Sequence, residues 1–245
     1  MQSISNRKIV LVVIPARGGS KGIPKKNLSM LHGKTLTEWA MLSALQIKSE
    51  KRIVLSSDSE EILDLSSKYH GVIPSKRPHE LSKDFVADYR VLQYELAKAE
   101  SKESIAFDCI VMLQPTSPIR NPETLESCIN SVLNGKTAAW TVSEVPIKFH
   151  PRKQLAVKNQ KLCLAVDSPL VVARQELSQT YIRTGVCYAI SRDTVVRDET
   201  LMGTNAMAVF CNWPSVNIDE QADLIRAQEI SLPNKGLLFP RGVTS

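Results

Sequence analysis

Four cations and three glycines share one short stretch of the chain, residues 16–27, which reads A-R-G-G-S-K-G-I-P-K-K-N and is called the cationic loop below. Glycines let backbone N–H groups approach a ligand closely. Four positive side chains on one loop repel each other unless an anion lies among them. The combination predicts binding of a polyphosphate, and a solvated basic turn is the alternative. The cations are Arg17, Lys21, Lys25 and Lys26.

The element that must position this loop is the apolar run directly before it, residues 9–14. An unbroken run rich in β-branched residues is typical of a strand buried on both faces, and hence of a parallel sheet in an α/β protein. Ligands of such proteins bind at the carboxyl edge of the sheet, where this loop would lie. The spacing excludes two common phosphate loops. The glycines lack the G-x-G-x-x-G pattern, and the G-K-T of residues 33–35 lacks the first P-loop glycine because Leu28 stands there.

A second apolar run, residues 109–113, is expected to be a central strand and ends in Q-P-T-S-P-I-R. The two prolines stop the strand and stiffen the turn. Gln114 is left at the tip, with an amide that can donate and accept hydrogen bonds. Such a group suits the recognition of a nucleoside or a sugar hydroxyl.

The remaining pattern alternates strands with helices, as in a parallel sheet with crossover helices. We expect helices over about residues 35–47, 57–69, 86–99 and 219–230, and another that Asn121 and Pro122 begin. Capping boxes are predicted to begin the first two helices, at Thr35 and Ser57. Further strands are expected at residues 53–55, 137–142, 206–210 and 215–218. Residues 144–179 have no clear period, and an unperiodic segment of this length is often functional or an interface.

Composition bounds the class of protein. A chain of 245 residues with 43% hydrophobic and 23% charged residues is typical of a single α/β domain. The formal net charge of +6 is compatible with an anionic substrate. The sequence lacks a basic face interleaved with aromatic residues, so we expect no nucleic-acid partner. Five unevenly spaced cysteines argue against a disulfide framework or a structural zinc site. The sequence shows no signal peptide and no apolar run of membrane length, so we expect a cytoplasmic protein with no membrane partner.

The cationic loop and the Q-P-T-S-P-I-R turn together resemble the acylneuraminate cytidylyltransferases, also called CMP-sialic acid synthetases. That family's turn reads L-Q-P-T-S-P-L-R, from which this chain differs at Ile119, and the resemblance extends over the chain to about residue 231. It implies one cytidylyltransferase domain over residues 1–245. The implied fold is α/β, of the nucleotide-diphospho-sugar transferase type, with a parallel or mixed sheet flanked by helices. A small dimerisation arm at about residues 144–180 is implied too, and with it a homodimer.

The resemblance also assigns roles to individual residues. The catalytic, phosphate-binding residues it implies are Arg17, Lys21 and Lys26. The nucleotide-binding residues it implies are Ala16, Gly18, Ser20, Asn27, Arg77, Ser82 and Gln114. The sugar-binding residues it implies are Gln114, Lys153, Arg174 and Tyr181. For Lys153 and Arg174, plain surface charges on an arm are the alternative.

The metal expected from the resemblance is Mg²⁺. The family carries D-I-D where this chain has Asn217, Ile218 and Asp219. Alternation along a strand would point the first and third side chains to one face, which suits a hard cation that bridges phosphates. Asp219 is therefore an expected metal ligand, with Asn217 as a weaker, uncharged one. A helix N-cap is the alternative role for Asp219.

The reaction that the resemblance implies is transfer of CMP from CTP to the anomeric hydroxyl of a nonulosonic acid of the sialic type, with release of pyrophosphate. Two departures leave the sugar open, namely Ser178 in place of a usual proline and Thr184 in place of an asparagine. One alternative is CMP transfer to another 2-keto sugar acid, such as pseudaminic, legionaminic or 3-deoxy-octulosonic acid. The other is a nonenzymatic nucleotide-binding relative, which Asn217 favours.

Overall fold

The computed structural model describes residues 8–169 and 173–231 of the chain. They form two compact units: the described parts of Met1–Thr141 with Thr184–Ser245 (unit 1), and of Val142–Arg183 (unit 2). The strands are β1 (Val10–Pro15), β2 (Met30–Leu31), β3 (Lys34–Thr35), β4 (Lys51–Ser57), β5 (Val72–Lys76), β6 (Cys109–Met112), β7 (Ala138–Glu144), β8 (Leu155–Lys158), β9 (Lys161–Leu164), β10 (Tyr181–Ser191) and β11 (Ala206–Phe210). The α-helices are α1 (Leu36–Leu45), α2 (Glu60–Leu63), α3 (Asp88–Glu103), α4 (Pro122–Leu133), α5 (Arg192–Val196) and α6 (Gln221–Ser231).

The main sheet has seven strands in the order β11-β7-β10-β6-β1-β4-β5. Parallel pairs join β6 to β1, β1 to β4 and β4 to β5, whereas β10 lies antiparallel to β6. The predicted α/β fold with a mixed sheet flanked by helices is confirmed. β6 lies at the centre of the sheet, as its continuous apolar run predicts.

β1 is buried on both faces, which is why its residues do not alternate between polar and apolar. Val12 packs in one apolar cluster with side chains of α1, α2 and α4. Val13, its neighbour, points to the other face and packs in a second cluster with side chains of α3 and α5. Because helices cover both faces, the open positions for a ligand lie at the ends of the strands.

A third apolar cluster fixes the cationic loop against the last helix. Ile23, from the middle of the loop, is buried with Trp39 of α1, Ile218 and Leu224 of α6. Apolar burial stabilises this arrangement by roughly 1.5–3 kcal/mol per large side chain. It places the loop beside Asn217 and Asp219, which are about 200 positions away along the chain.

Of the two predicted capping boxes, the structure confirms one. The capping box at α1 is confirmed, since the Thr35 hydroxyl accepts from the Glu38 N–H and the Glu38 carboxylate accepts from the Thr35 N–H. The predicted cap at Ser57 is wrong. Ser57 ends β4 in register with Lys76, and Ser59 precedes α2, which is only one turn long. Strand pairing therefore overrides the capping-box spacing here.

The segment before the last helix also differs from the prediction. Residues 215–218 form no strand, although the Ile218 N–H donates to the Thr116 carbonyl at 2.8 Å. α6 begins at Gln221 and not at Asp219. The Asp223 carboxylate accepts from the N–H groups of Asp219 and Glu220, so Asp223 satisfies the amides before the helix.

Unit 2 is more regular than its sequence indicates. β8 and β9 form an antiparallel hairpin in which Leu155 faces Leu164 and Val157 faces Leu162. Arg152 donates to the carbonyl of Glu176 at 3.3 Å, which ties two short 3₁₀ helices together. The unit covers the segment in which the arm is expected.

Over residues 8–169 and 173–231, no helix combines the length and hydropathy needed to cross a bilayer.

Candidate active site

Four polar residues of unit 1 lie at one edge of the sheet. Arg17 follows β1, Asp58 follows β4, Arg77 follows β5, and Gln114 comes shortly after β6. These four strands run in the same direction, so their carboxyl ends meet at this edge. The location is the one at which open α/β sheets bind their ligands.

The cationic loop is closed by its own hydrogen bonds. The Ala16 N–H donates to the Ser56 carbonyl at 2.9 Å, which continues the pairing of β1 with β4. The buried side chain of Asn27 donates to the Arg17 carbonyl at 2.8 Å, and the Thr37 hydroxyl donates to the Asn27 carbonyl at 2.8 Å. Asn27 therefore joins the two ends of the loop, and its contact with a nucleotide stays a prediction.

One loop amide already has a carboxylate partner. The Gly18 N–H donates to Oδ1 of Asp58 at 2.9 Å. In this conformation the Gly18 amide is directed at a protein carboxylate. Asp58 thus holds the start of the loop against the end of β4.

A cleft of about 450 Å³ separates the cationic loop from the segment 79–85, which is called the facing wall below. Both sides contribute charged and hydroxyl groups. The lining residues are Arg17, Gly19, Ser20, Lys21, His79, Ser82, Lys83, Asp84 and Phe85. The cleft brings together Arg17, Ser20, Lys21 and Ser82, which the sequence predicts as site residues.

Two of the loop cations share one carboxylate across this cleft. Arg17 Nη1 lies 2.6 Å from Asp84 Oδ1, and Lys21 Nζ lies 2.7 Å from Asp84 Oδ2. The hydrogen bonds from Lys21 and Arg17 hold the pKa of the Asp84 carboxyl below its usual value. Asp84 is therefore an anion that already occupies the position predicted for phosphate.

The third predicted cation has a carboxylate partner of its own. Lys26 Nζ lies 2.8 Å from Asp219 Oδ1, and the amide of Asn217 donates to Asp219 Oδ2 at 2.9 Å. The Lys26 side chain is 17% exposed, whereas that of Asp219 is 69% exposed. The Ser117 hydroxyl donates to the Asn217 amide oxygen at 3.3 Å. The Asp219 carboxylate thus faces Lys26 and Asn217.

Asp219 and Asn217 offer a magnesium ion one carboxylate and one amide oxygen. In the described part of the chain no three His, Cys, Asp or Glu residues form a group that could hold a metal. Asp219 offers one well-exposed carboxylate, while the Asn217 amide oxygen faces Ser117 and its nitrogen faces Asp219. Magnesium commonly takes one or two protein carboxylates and completes its shell with water and substrate phosphates. The donor set therefore fits an ion held jointly by Asp219 and a bound nucleotide.

Arg77 and Ser82 bind each other. Arg77 Nε donates to Ser82 Oγ at 2.9 Å, and the Arg77 side chain is buried. Burial lowers the pKa of the Arg77 guanidinium, although the carboxylates of Asp58 and Glu95 act in the opposite direction. Ser82 lines the cleft and Arg77 does not, so in this conformation Arg77 acts on the cleft by holding Ser82 in place.

The turn that carries Gln114 is held by a buried arginine that sequence reasoning missed. Arg120 donates to the carbonyls of Gln114 at 2.5 Å and of Val186 at 3.0 Å. Its Nη1 atom is buried and unpartnered within the described residues, and burial lowers the pKa of this guanidinium to about 10. Gly185, at φ +74°, leaves no room for a Cβ beside Ser117 and Gln114. The Gln114 amide itself donates to Asp88 at 3.4 Å.

The remaining predicted sugar-binding residues lie in unit 2. Lys153 ends the 3₁₀ helix Pro151–Lys153, Arg174 begins the 3₁₀ helix Arg174–Glu176, and Tyr181 begins β10. Their contacts with a sugar stay predictions. Thr184, in unit 1, directs its hydroxyl to that of Thr141 at 2.8 Å. Its replacement of the family's asparagine therefore changes a buried contact.

Gly22 offers a test of how the loop is seated. A Cβ at this position would overlap the backbone carbonyl oxygen of Asp219. We expect Gly22→Ala to push the loop from Asp219, to disturb the Lys26 ion pair and to lower kcat/KM for CTP by about 10-fold. Steady-state kinetics on folded protein would measure this. Gly19→Ala is the matched variant, because a Cβ at Gly19 meets nothing within 4 Å. Equal losses in both variants would contradict this account of Gly22.

Comparison with known proteins adds an independent finding. The profile of the family described as cytidylyltransferase matches residues 11–226. CMP-N,N'-diacetyllegionaminic acid synthase of Legionella pneumophila is 29% identical over 220 residues, which cover 86% of this chain and 90% of that protein. Pseudaminic acid cytidylyltransferase of Campylobacter jejuni is 30% identical over 181 residues, which cover 73% of this chain and 76% of that protein. A solved structure of CMP:2-keto-3-deoxy-manno-octonic acid synthetase complexed with CTP shares the fold, with a TM-score of 0.65, 17% identity, and coverage of 92% of this chain and 99% of that one.

Proposed function

Because the chain belongs to the cytidylyltransferase family and is a nucleotidyltransferase, we propose that it transfers CMP from CTP to the anomeric hydroxyl of a nonulosonic acid of the sialic type. The observation that supports this most is the cluster of Arg17, Lys21 and Lys26 on one loop at the carboxyl edge of the sheet. Each of these cations pairs with a carboxylate that a phosphate group can replace. Pyrophosphate is the leaving group.

The chemistry asks mainly for positioning and charge neutralisation. The acceptor hydroxyl oxygen forms a bond to the α-phosphorus of CTP and loses its proton to water. The bond from that phosphorus to the oxygen that leads to the β-phosphate breaks, and pyrophosphate leaves. Arg17, Lys21 and Lys26 bind the phosphates and neutralise the negative charge that grows on the departing pyrophosphate. Gln114, at the tip of its stiff turn, offers an amide to the nucleoside or the sugar. Ser20 and Ser82 line the cleft with hydroxyl groups.

A magnesium ion held by Asp219 and the nucleotide would add positive charge at the phosphates when bound. Asp219 is the carboxylate that this chain supplies for it. Asn217 donates to Asp219, and so it orients the carboxylate. The Asp223 carboxylate accepts a hydrogen bond from the Asp219 backbone N–H and so restrains the backbone that carries the Asp219 side chain.

The acceptor of the proposed reaction is a nonulosonic acid. Relatives with similar identity carry names for legionaminic and pseudaminic acid, which are also nonulosonic acids. These two acids are therefore the second candidates as acceptors. Lys153 and Arg174 of unit 2 are proposed to meet the acceptor's carboxylate, since cations pair well with that group.

The experiment is an incubation of the pure protein with CTP, Mg²⁺ and one acceptor at a time, with pyrophosphate release as the readout. The panel contains N-acetylneuraminic, legionaminic, pseudaminic and 3-deoxy-octulosonic acids. We expect release with at least one of the first three and none without acceptor. Release with 3-deoxy-octulosonic acid alone would move the acceptor to another class. CTP binding without release for any acceptor would contradict the proposal.

We also propose that the protein is a homodimer and that the hairpin of β8 and β9 in unit 2 contacts the second copy. Leu155, Val157 and Leu162 are 58%, 69% and 71% exposed on this hairpin. An isolated two-stranded hairpin is marginally stable in water. A second copy of the chain would cover these apolar side chains.

The dimer is tested by light scattering at micromolar concentration. We expect a dimer for the parent chain and a shift to monomer for Leu162→Lys, because a charge in an apolar interface stays unpaired. Lys161→Gln, on the neighbouring position of the same hairpin, is the control and should leave the dimer intact. A parent that is monomeric throughout would rule the assembly out.

A further inference from the structure

Among residues 8–169 and 173–231, Asp84 alone has a carboxylate that pairs with two cations of the cationic loop at once. Its Oδ1 accepts from Arg17 at 2.6 Å and its Oδ2 accepts from Lys21 at 2.7 Å. Each of its oxygens thus makes a short, charge-assisted hydrogen bond. Asp84 belongs to the facing wall, so these two bonds span the cleft.

The facing wall is anchored, and therefore Asp84 is held near the loop. The buried Arg77 donates from its side chain to Ser82 and from its backbone N–H to the Ser57 carbonyl at 3.0 Å. The residue after Asp84 adds a contact, since Lys21 Nζ lies 5.6 Å from the ring centroid of Phe85. Lys21 thus lies near an anion and an aromatic ring from the same short segment.

We propose that Asp84 is an intramolecular competitor of the polyphosphate, which any anion must displace before it can bind both Arg17 and Lys21. This inference rests on the proposed function, in which those two cations bind the phosphates of CTP. A carboxylate and a phosphate repel each other at hydrogen-bonding distance from one cation pair. When the phosphates bind, Asp84 gives up its two partners.

The competition has two consequences for the reaction. It lowers the affinity of every anion that reaches both cations, so weakly bound anions such as inorganic phosphate stay off the loop while a polyphosphate still binds. After transfer, Asp84 forms its ion pairs with Arg17 and Lys21 again, and these ion pairs favour the release of pyrophosphate. Both consequences make Asp84 a residue that sets the binding threshold of the site.

The expected effect is moderate because the ion pairs are partly open to water. Exposed pairs contribute little each and weaken as salt is added. Loss of both pairs should therefore tighten anion binding by about 3- to 10-fold at low ionic strength. At high salt the difference between variant and parent should shrink.

Isothermal titration calorimetry without divalent cations tests the proposal, with inorganic pyrophosphate, CTP and cytidine as probes. We expect Asp84→Asn to bind pyrophosphate and CTP about 3- to 10-fold more tightly than the parent does. Cytidine, which has no phosphate, should bind both proteins equally. Asp84→Glu keeps the negative charge and should stay nearer to the parent than Asp84→Asn does.

Glu61→Gln is the matched control, because Glu61 pairs with the loop residue Lys25 at 2.6 Å and its loss changes the net charge by the same amount. Equal tightening in both variants would assign the effect to net charge and overturn the proposal. Unchanged or weaker binding by Asp84→Asn would also overturn it, while normal CTP binding by the parent would leave the proposed function standing. Absence of CTP binding by the parent both in this titration and in a parallel one with Mg²⁺ would instead contradict the proposed function.

Discussion

Replacing Asp219 by asparagine should reduce kcat/KM for CTP on the order of 10³-fold and raise the magnesium concentration needed for half-maximal rate. Asp219 is the carboxylate proposed to hold the cation, and the substitution leaves two uncharged amides, at positions 217 and 219. It also removes the charged partner of Lys26, which lies 2.8 Å from Asp219 Oδ1. Rates measured over a magnesium titration would give both numbers.

A companion variant and a control sharpen this prediction. Asn217→Asp adds a second carboxylate and should lower the magnesium requirement. Glu220→Gln removes an exposed charge from the adjacent position and should leave rate and requirement close to those of the parent. Binding of Mn²⁺ in the presence of CTP, followed by electron paramagnetic resonance, should weaken in Asp219→Asn. Unchanged kinetics and unchanged metal binding in that variant would exclude Asp219 as a ligand.

Replacing Lys26 by alanine should lower kcat/KM for CTP on the order of 10²-fold, as expected for one lost charge in the transition state. Lys26 is the most enclosed of the three lysines on the loop, at 17% side-chain exposure against 74% for Lys21 and 67% for Lys25. A partly enclosed cation interacts more strongly with a bound anion than an exposed one does. Steady-state kinetics at saturating magnesium would measure the loss.

The neighbouring lysine provides the control for this measurement. Lys25 pairs with Glu61, outside the described cleft lining, and Lys25→Ala makes the same chemical change one position away. We expect that variant to lose less than about threefold. A Lys26→Ala protein that is folded and within twofold of the parent, by this reasoning, would remove Lys26 from the phosphate site.

Elements with continuous burial could be predicted from the sequence. β1 and β6 read as unbroken apolar runs, and both lie at the centre of the sheet. The Thr35 and Glu38 pair predicted the start of α1 because a capping box is a purely local interaction. The same spacing at Ser57 failed, since pairing of β4 with β5 extends through that residue. Local signals hold where no long-range contact competes with them.

The site was predictable only in part, for the same reason. The cations stand out by composition, but their protein partners come from distant positions, as Asp84 does for Arg17 across 67 residues. Nothing in a single sequence shows that the Asp84 carboxylate will reach both Arg17 and Lys21. Arg120 was missed as well, because its sequence context does not reveal that two backbone carbonyls will surround it. Asn217 and Asp219 do hydrogen-bond each other, although the strand on which that expectation depended does not form.

The chain leaves unit 1 and returns to it at one point. Thr141 is the last residue before unit 2 and Thr184 the first after it, and their hydroxyl groups lie 2.8 Å apart. Unit 1 therefore holds both ends of the excursion, and a longer or shorter insert changes the cost of loop closure only slightly. Such an insert can be exchanged as a module while the strands of unit 1 keep their register. Under the proposed function, the oligomer contacts and the acceptor choice assigned to unit 2 can therefore change while the loop and strands of unit 1 stay the same.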